Sequence, residues 1–150
     1  MGRTRLAQPP ATAAAMVGVF RLPADLARVA ERLERSRSML ALGDDWDGEG
    51  SPGYAEATWH RTAELVVDAA TAHYRQRNMS PPLPIISKGD EGSIDIQWRT
   101  AHRNVLINVP AAPDEPATFY AHDDENPQRD SGGEVDAGER NEQLLVWLLA

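Results

Sequence analysis

Ten residues, Asp44-Asp45-Trp46-Asp47-Gly48-Glu49-Gly50-Ser51-Pro52-Gly53, bring together four carboxylates, one indole and three glycines. Carboxylate oxygens are hard ligands suited to calcium. Glycine takes positive φ without steric cost, so a stretch of this kind can wind tightly enough to aim several side chains or carbonyls at one point. The competing reading is architectural: Trp46 plugs a core, the glycines make a bend, and the aspartates cap backbone N–H groups.

Counting Asp45 as position one, Asp47 is third, Glu49 fifth, Gly50 sixth, Ser51 seventh and Glu56 twelfth. This resembles the spacing of a calcium-binding EF-hand loop between two helices. Asp45, Asp47, Glu49 and Glu56 are therefore the candidate metal ligands, with calcium as the candidate ion. The pattern departs from that loop at Glu49, at Pro52 where an aliphatic residue is usual, and in having no sister loop.

Other chemistry-bearing residues are sparser. Glu56, His60 and Glu64 fall at i, i+4 and i+8, which puts them on one helical face where they could hold a transition metal or act as acid and base. A solvated stripe has the same spacing. His73, His102 and His122 are isolated in sequence, and no phosphate-cradling loop, dinucleotide fingerprint or nucleophile elbow is present. No residue is assigned to catalysis and no cofactor site is assigned.

The chain has no cysteine, which excludes disulfides, thiolate metal sites and a cysteine nucleophile. No apolar run approaches the roughly 18 residues needed to cross a bilayer, and a cytoplasmic setting is expected. The net charge of −8 is uneven: residues 1–109 carry 13 acidic and 13 basic side chains, residues 110–150 carry 10 and 2. A neutral body with an acidic end argues against direct binding to nucleic acid, which needs a surplus of cations.

The elements that must position these groups follow from periodicity. Residues 1–21 are Ala- and Pro-rich without a sustained period and read as a flexible arm. Leu26, Val29, Ala30, Leu33 and Leu40 recur at helical spacing, predicting a helix from Pro23 to Leu42. A second helix is predicted from Tyr54 to Arg77, stopped by Asn78 and Pro81-Pro82. The period then falls to two over 83–87, 93–99, 104–109 and 117–122. Residues 22–122 thus form an α+β core, an antiparallel helical hairpin packed on a three- to four-stranded antiparallel meander. Residues 123–138 read as an acidic linker. Residues 139–150 form a short apolar helix in which Leu144, Leu145, Trp147 and Leu148 must be covered, by this chain or by another.

The succession Trp46-Asp47-Gly48-Glu49-Gly50-Ser51-Pro52, a helix, Pro82-Leu83-Pro84 and Gly92-Ser93-Ile94-Asp95-Ile96-Gln97-Trp98 resembles small uncharacterised bacterial proteins. These share a tryptophan-aspartate-glycine corner followed by a helix and a strand ending in Trp. The resemblance spans about residues 38–121 and implies a common small α+β fold, with no assigned activity. Here Gly53-Tyr54 stands where a second proline is usual. Function is accordingly read as non-enzymatic protein-protein binding, as a subunit or accessory of a larger complex, through Leu144, Leu145, Trp147 and Leu148. A calcium protein using residues 45–56 is the second reading, and a small hydrolase using Glu56 or His60 the third.

Overall fold

A computed structural model describes residues 14–135 and 141–150, with side chains of the last segment from Gln143 onward. The first 13 residues of the expected arm, residues 136–138 of the expected linker and the acidic start of the last helix lie outside the described residues. The fold is α+β. Its strands are β1 (Ala14–Val17), β2 (Phe20–Pro23), β3 (Ile85–Lys88), β4 (Ile94–Arg99), β5 (Arg103–Val109), β6 (Ala117–Asp123) and β7 (Ser131–Val135). Its helices are α1 (Ala27–Ser36), α2 (Glu56–Arg77) and α3 (Asn141–Leu149). Among the described residues no helix is long and apolar enough to cross a membrane.

Strands β3 to β7 form one antiparallel sheet in chain order. Alternation decides its two faces. Ile94, Ile96 and Trp98, then Val105, Ile107 and Val109, then Ala117 and Ala121 point inward and are buried. Helix α2 lies over this face with Trp59, Ala63, Val66 and Ala70. The other face carries Asp95 and Gln97, Asn104, Leu106 and Asn108, and Thr118, Tyr120 and His122, none of them fully buried.

Helix α1 buries Val29, Ala30 and Leu33, and the 3-10 turn Ala24–Leu26 before it buries Leu26, four positions of the predicted stripe. It is shorter than the periodicity suggests, because Arg37–Ala41 tightens into a 3-10 turn. Ser36 marks the change: its hydroxyl donates back to the Leu33 carbonyl at 2.6 Å, a local bond that competes with regular helix. Helix α2 ends as predicted. Asn78 adopts the left-handed conformation at φ 54° and its N–H bonds the Tyr74 carbonyl at 2.8 Å.

Two segments are more ordered than the sequence suggests. Residues 14–21 are not a loose arm: β1 pairs with β2 through a turn at Gly18 (φ 55°), and Val17 and Leu22 are buried. A glycine at the first of two turn positions suits a tight hairpin, but four-residue strands are too short to impose a visible period. The stretch 123–135 is likewise not a free linker, because Ser131–Val135 forms the outermost strand of the sheet. Its signal is hidden by Gly132 and Gly133, which pair with Tyr120 and Phe119. A Cβ at Gly133 would meet the Phe119 ring at 3.3 Å, so the aromatic rings of β6 occupy the space where β7 side chains would stand.

The buried Trp59 indole joins the helices. Its Nε1–H donates to the Ser36 hydroxyl at 2.8 Å, the Arg37 guanidinium lies 4.6 Å from the ring centroid, and Phe20 meets it edge-on at 6.4 Å. Replacing Ser36 by Ala leaves a buried donor unsatisfied and should cost about 1–3 kcal/mol. Urea unfolding should also show Trp59→Phe costing less in the Ser36→Ala background than alone; equal costs would mean that the bond contributes nothing.

Candidate functional site

The acidic corner is folded around its own backbone. Asp45 Oδ1 accepts the Gly50 N–H at 2.7 Å, Asp47 Oδ1 accepts those of Glu49 at 2.9 Å and Ser51 at 3.3 Å, and Asp44 Oδ1 accepts that of Gly53 at 2.9 Å. Asp47 Oδ2 takes the Ser51 hydroxyl. That hydroxyl, then the Glu49 N–H, hold the Asp47 carboxyl below its ordinary value of 3.8. Trp46 Nε1 donates to the Pro52 carbonyl at 3.1 Å, and the Lys88 ammonium sits 4.6 Å from the Trp46 ring centroid. The glycines serve the bend: Gly48 and Gly50 take φ of 75° and 84°, and a Cβ on Gly53 would strike the Leu42 carbonyl at 2.6 Å.

The four candidate metal ligands do not converge. Glu56 lies outside the loop and pairs with Arg37 at 3.3 Å. Among the described residues no three His, Asp or Glu side chains are placed to hold an ion. The stripe Glu56, His60 and Glu64 is exposed, and the His60 ring packs against Phe20 with centroids 4.8 Å apart. His73 is buried, and burial followed by the nearby Arg77 charge lowers its pKa.

The expected partner-binding helix is folded onto its own chain. Leu145 and Leu148 are buried, and Leu144 and Trp147 pack partly buried against the same core. The seat is α2 and β5. Arg103 secures it: one guanidinium nitrogen donates to the carbonyls of Trp147 at 2.5 Å and Ala150 at 3.3 Å, and the group lies 5.0 Å from the Trp147 ring centroid. Leu145 and Leu148 are thus covered by this chain and not free for the expected partner surface, whereas Leu144 and Trp147 are covered only in part.

Arg103 belongs to a polar network that no sequence motif announces. Its Nε bonds the buried Asp123 carboxylate at 2.9 Å. Burial pushes the Asp123 carboxyl up, but the Glu125 N–H, Arg103 and the Asn126 N–H together leave it lowered. Beside it, His122 Nδ1 meets Asp130 Oδ2 at 2.7 Å and Nε2 meets Asp124 Oδ1 at 2.8 Å. Tyr120 also donates to Asp130 at 2.8 Å. Asp130 is the first cause of a raised His122 pKa; burial opposes and Asp124 adds. With a carboxylate on each nitrogen, the imidazole clasps the β6–β7 connection and both its nitrogens are occupied. The one legible trace is the register, which sets Arg103 opposite Asp123.

Two clefts flank β3. One, of about 650 Å³, is lined by Asp90, Glu91, Asp95, Glu115, Ser93 and Asn108; Asn108 Nδ2 bridges Ser93 Oγ at 3.0 Å and Asp95 Oδ1 at 2.8 Å. The other, of about 600 Å³, lies between the end of α1 and the strand, lined by Arg32, Arg35, Ser36, Ser38, Met39, Leu42, Ile86, Ser87 and Lys88. No protein-family model, curated protein or solved structure matches the chain.

Two outcomes follow. Asp47→Ala should lower the Tm equally with and without millimolar calcium, and a calcium-dependent rise in wild-type Tm would restore the metal reading. His122 has a folded pKa raised above 6.5, so its stabilisation is full below pH 6.5 and is lost as pH rises through the folded value. Urea unfolding should show the advantage of wild type over His122→Gln largest near pH 5–6 and shrinking above; a pH-independent difference would remove the clasp.

Proposed function

We propose that the protein is a non-enzymatic binding module that captures a segment of another protein along β3. The observation that carries this is the position of β3: among the described residues it pairs with β4 alone, at one end of the sheet, with the 600 Å³ cleft beside it. An edge strand offers a row of unpaired N–H and C=O groups that an extended chain can complete. Natural edges are blunted by charge, proline and short length, and β3 shows charge and shortness in Lys88 and its four residues, with Pro84 just before it. What distinguishes it is the groove alongside, lined in part by Met39, Leu42 and Ile86, which gives a docked segment apolar surface to bury.

The corner aspartates and His122 support the same reading, because their polar atoms are engaged in holding the fold, the aspartates by backbone N–H groups and the imidazole by two carboxylates. In this reading α1 and α2 form an antiparallel hairpin laid on the sheet, supported by ties at both ends, Asp25 with Tyr74 and Ser36 with Trp59. It also keeps the chain with the small bacterial proteins that share the tryptophan-aspartate-glycine corner, as an accessory or subunit.

A photo-crosslinking amino acid placed at Ser87 should give a discrete protein adduct in the cells that make this protein, while the same group at exposed Glu64 on α2 should not. Equal adducts from both positions, or none from position 87, would overturn the proposal.

A further inference from the structure

The cleft beside β3 differs in charge from the molecule around it. Arg32, Arg35 and Lys88 line it and, among the described residues, no carboxylate does, in a chain whose net charge is −8; Lys88 is shared with the acidic cleft on the other side of the strand's end. Two of the cations are held in place. Arg32 donates to the Pro84 carbonyl at 2.7 Å, at the entry to β3, and Lys88 rests over the Trp46 ring at the strand's far end. Fixing a long cationic side chain before binding removes ordering entropy that the complex would otherwise lose. Met39, Leu42 and Ile86 add apolar side chains to the lining of the same cleft.

From these features we infer that the occupant is an extended segment of another protein carrying acidic residues at i and i+4 with an apolar residue at i+2. The spacing follows from strand geometry. Pro84, Ile86 and Lys88 alternate along the strand, so they share one face. Four residues of extended chain span about 13 Å, and an added strand keeps that repeat. Its first and last inward side chains then reach the Arg32 and Lys88 ends, with Arg35 between them on the α1 wall, while the middle one meets Ile86. A guanidinium can take a carboxylate through two parallel hydrogen bonds.

The chain's own acidic stretch is not the occupant. Asp123 and Asp130 are bound by Arg103 and His122 beside β6 and β7, and in the strand order these lie at the opposite end of the sheet from β3. A polyanion such as nucleic acid is disfavoured because three cations beside apolar side chains give little phosphate neutralisation and bury apolar area against nothing.

The inference rests on β3 being the binding edge, and the experiment separates the two. Fluorescein-labelled heptapeptides Thr-Glu-Thr-Val-Thr-Glu-Thr, with Gln or Lys in place of both Glu, are titrated by anisotropy against the full chain, and amide exchange is followed over residues 85–88. The Glu peptide should bind at least tenfold tighter than the Gln peptide, the Lys peptide should not bind, and the β3 amides should become protected. The exposed substitutions Arg35→Glu and Lys88→Glu together should abolish the preference without changing the far-ultraviolet circular dichroism. Equal binding of Glu and Gln peptides with protection of 85–88 would overturn the acidic partner but leave β3 as the binding edge. Displacement of the Glu peptide by inorganic phosphate or a short single-stranded oligonucleotide at matched charge would make the cleft an unselective anion site and overturn the inference. So would failure of all three peptides to bind, with the Ser87 adduct still deciding whether β3 is an edge that captures protein.

Discussion

The close of α1 is tied to the opening of α2 by one indole. Trp59 is buried between the close of α1, the opening of α2 and the β2 strand, and its only polar atom is satisfied by Ser36. A buried aromatic contributes a large apolar area, and its N–H admits one placement in which the donor is paired. That placement sets how α1 leaves its helix, and through the 3-10 turn Arg37–Ala41 it sets where the acidic corner begins. The corner then returns the chain to α2, and the wall of the β3 cleft is the outer side of the same α1 terminus. The corner and the cleft wall thus both adjoin this one satisfied donor, through the Ser36 that accepts it.

Periodicity made the interior of the molecule readable. Ile94, Ile96 and Trp98 against Asp95 and Gln97 declare a half-buried strand, and Asn78 before Pro81-Pro82 declares a helix end. What stayed hidden was structure whose information is held by a partner strand. Gly132 and Gly133 have no side chain to alternate, because Phe119 and Tyr120 supply the covering rings. The β1–β2 hairpin is visible only as one glycine and two buried side chains, Val17 and Leu22.

The candidate site was legible in a different sense. The corner announced itself as unusual, and its carboxylates are indeed organised, but toward N–H groups a few residues away. Spacing alone cannot distinguish a ligand set from a capping set, since both need oxygens aimed inward by glycine turns. The apolar last helix was correctly a segment that demands cover, and Leu145 and Leu148 find it on α2 and β5. The cationic cleft could not be read at all: Arg32 and Arg35 are separated from Lys88 by the whole of α2 and meet it only when β3 is laid beside α1.

The docking of α3 has a consequence for local opening. The sheet runs from β3 to β7 without α3, so the helix can leave its seat on α2 and β5 with every strand pairing intact. While it is away the surface taken by Leu145 and Leu148 is bare, and Arg103 keeps Asp123 but loses the Trp147 carbonyl. Such an opening uncovers an apolar slot beside a guanidinium already fixed by a buried carboxylate, and the helix is the piece that closes it.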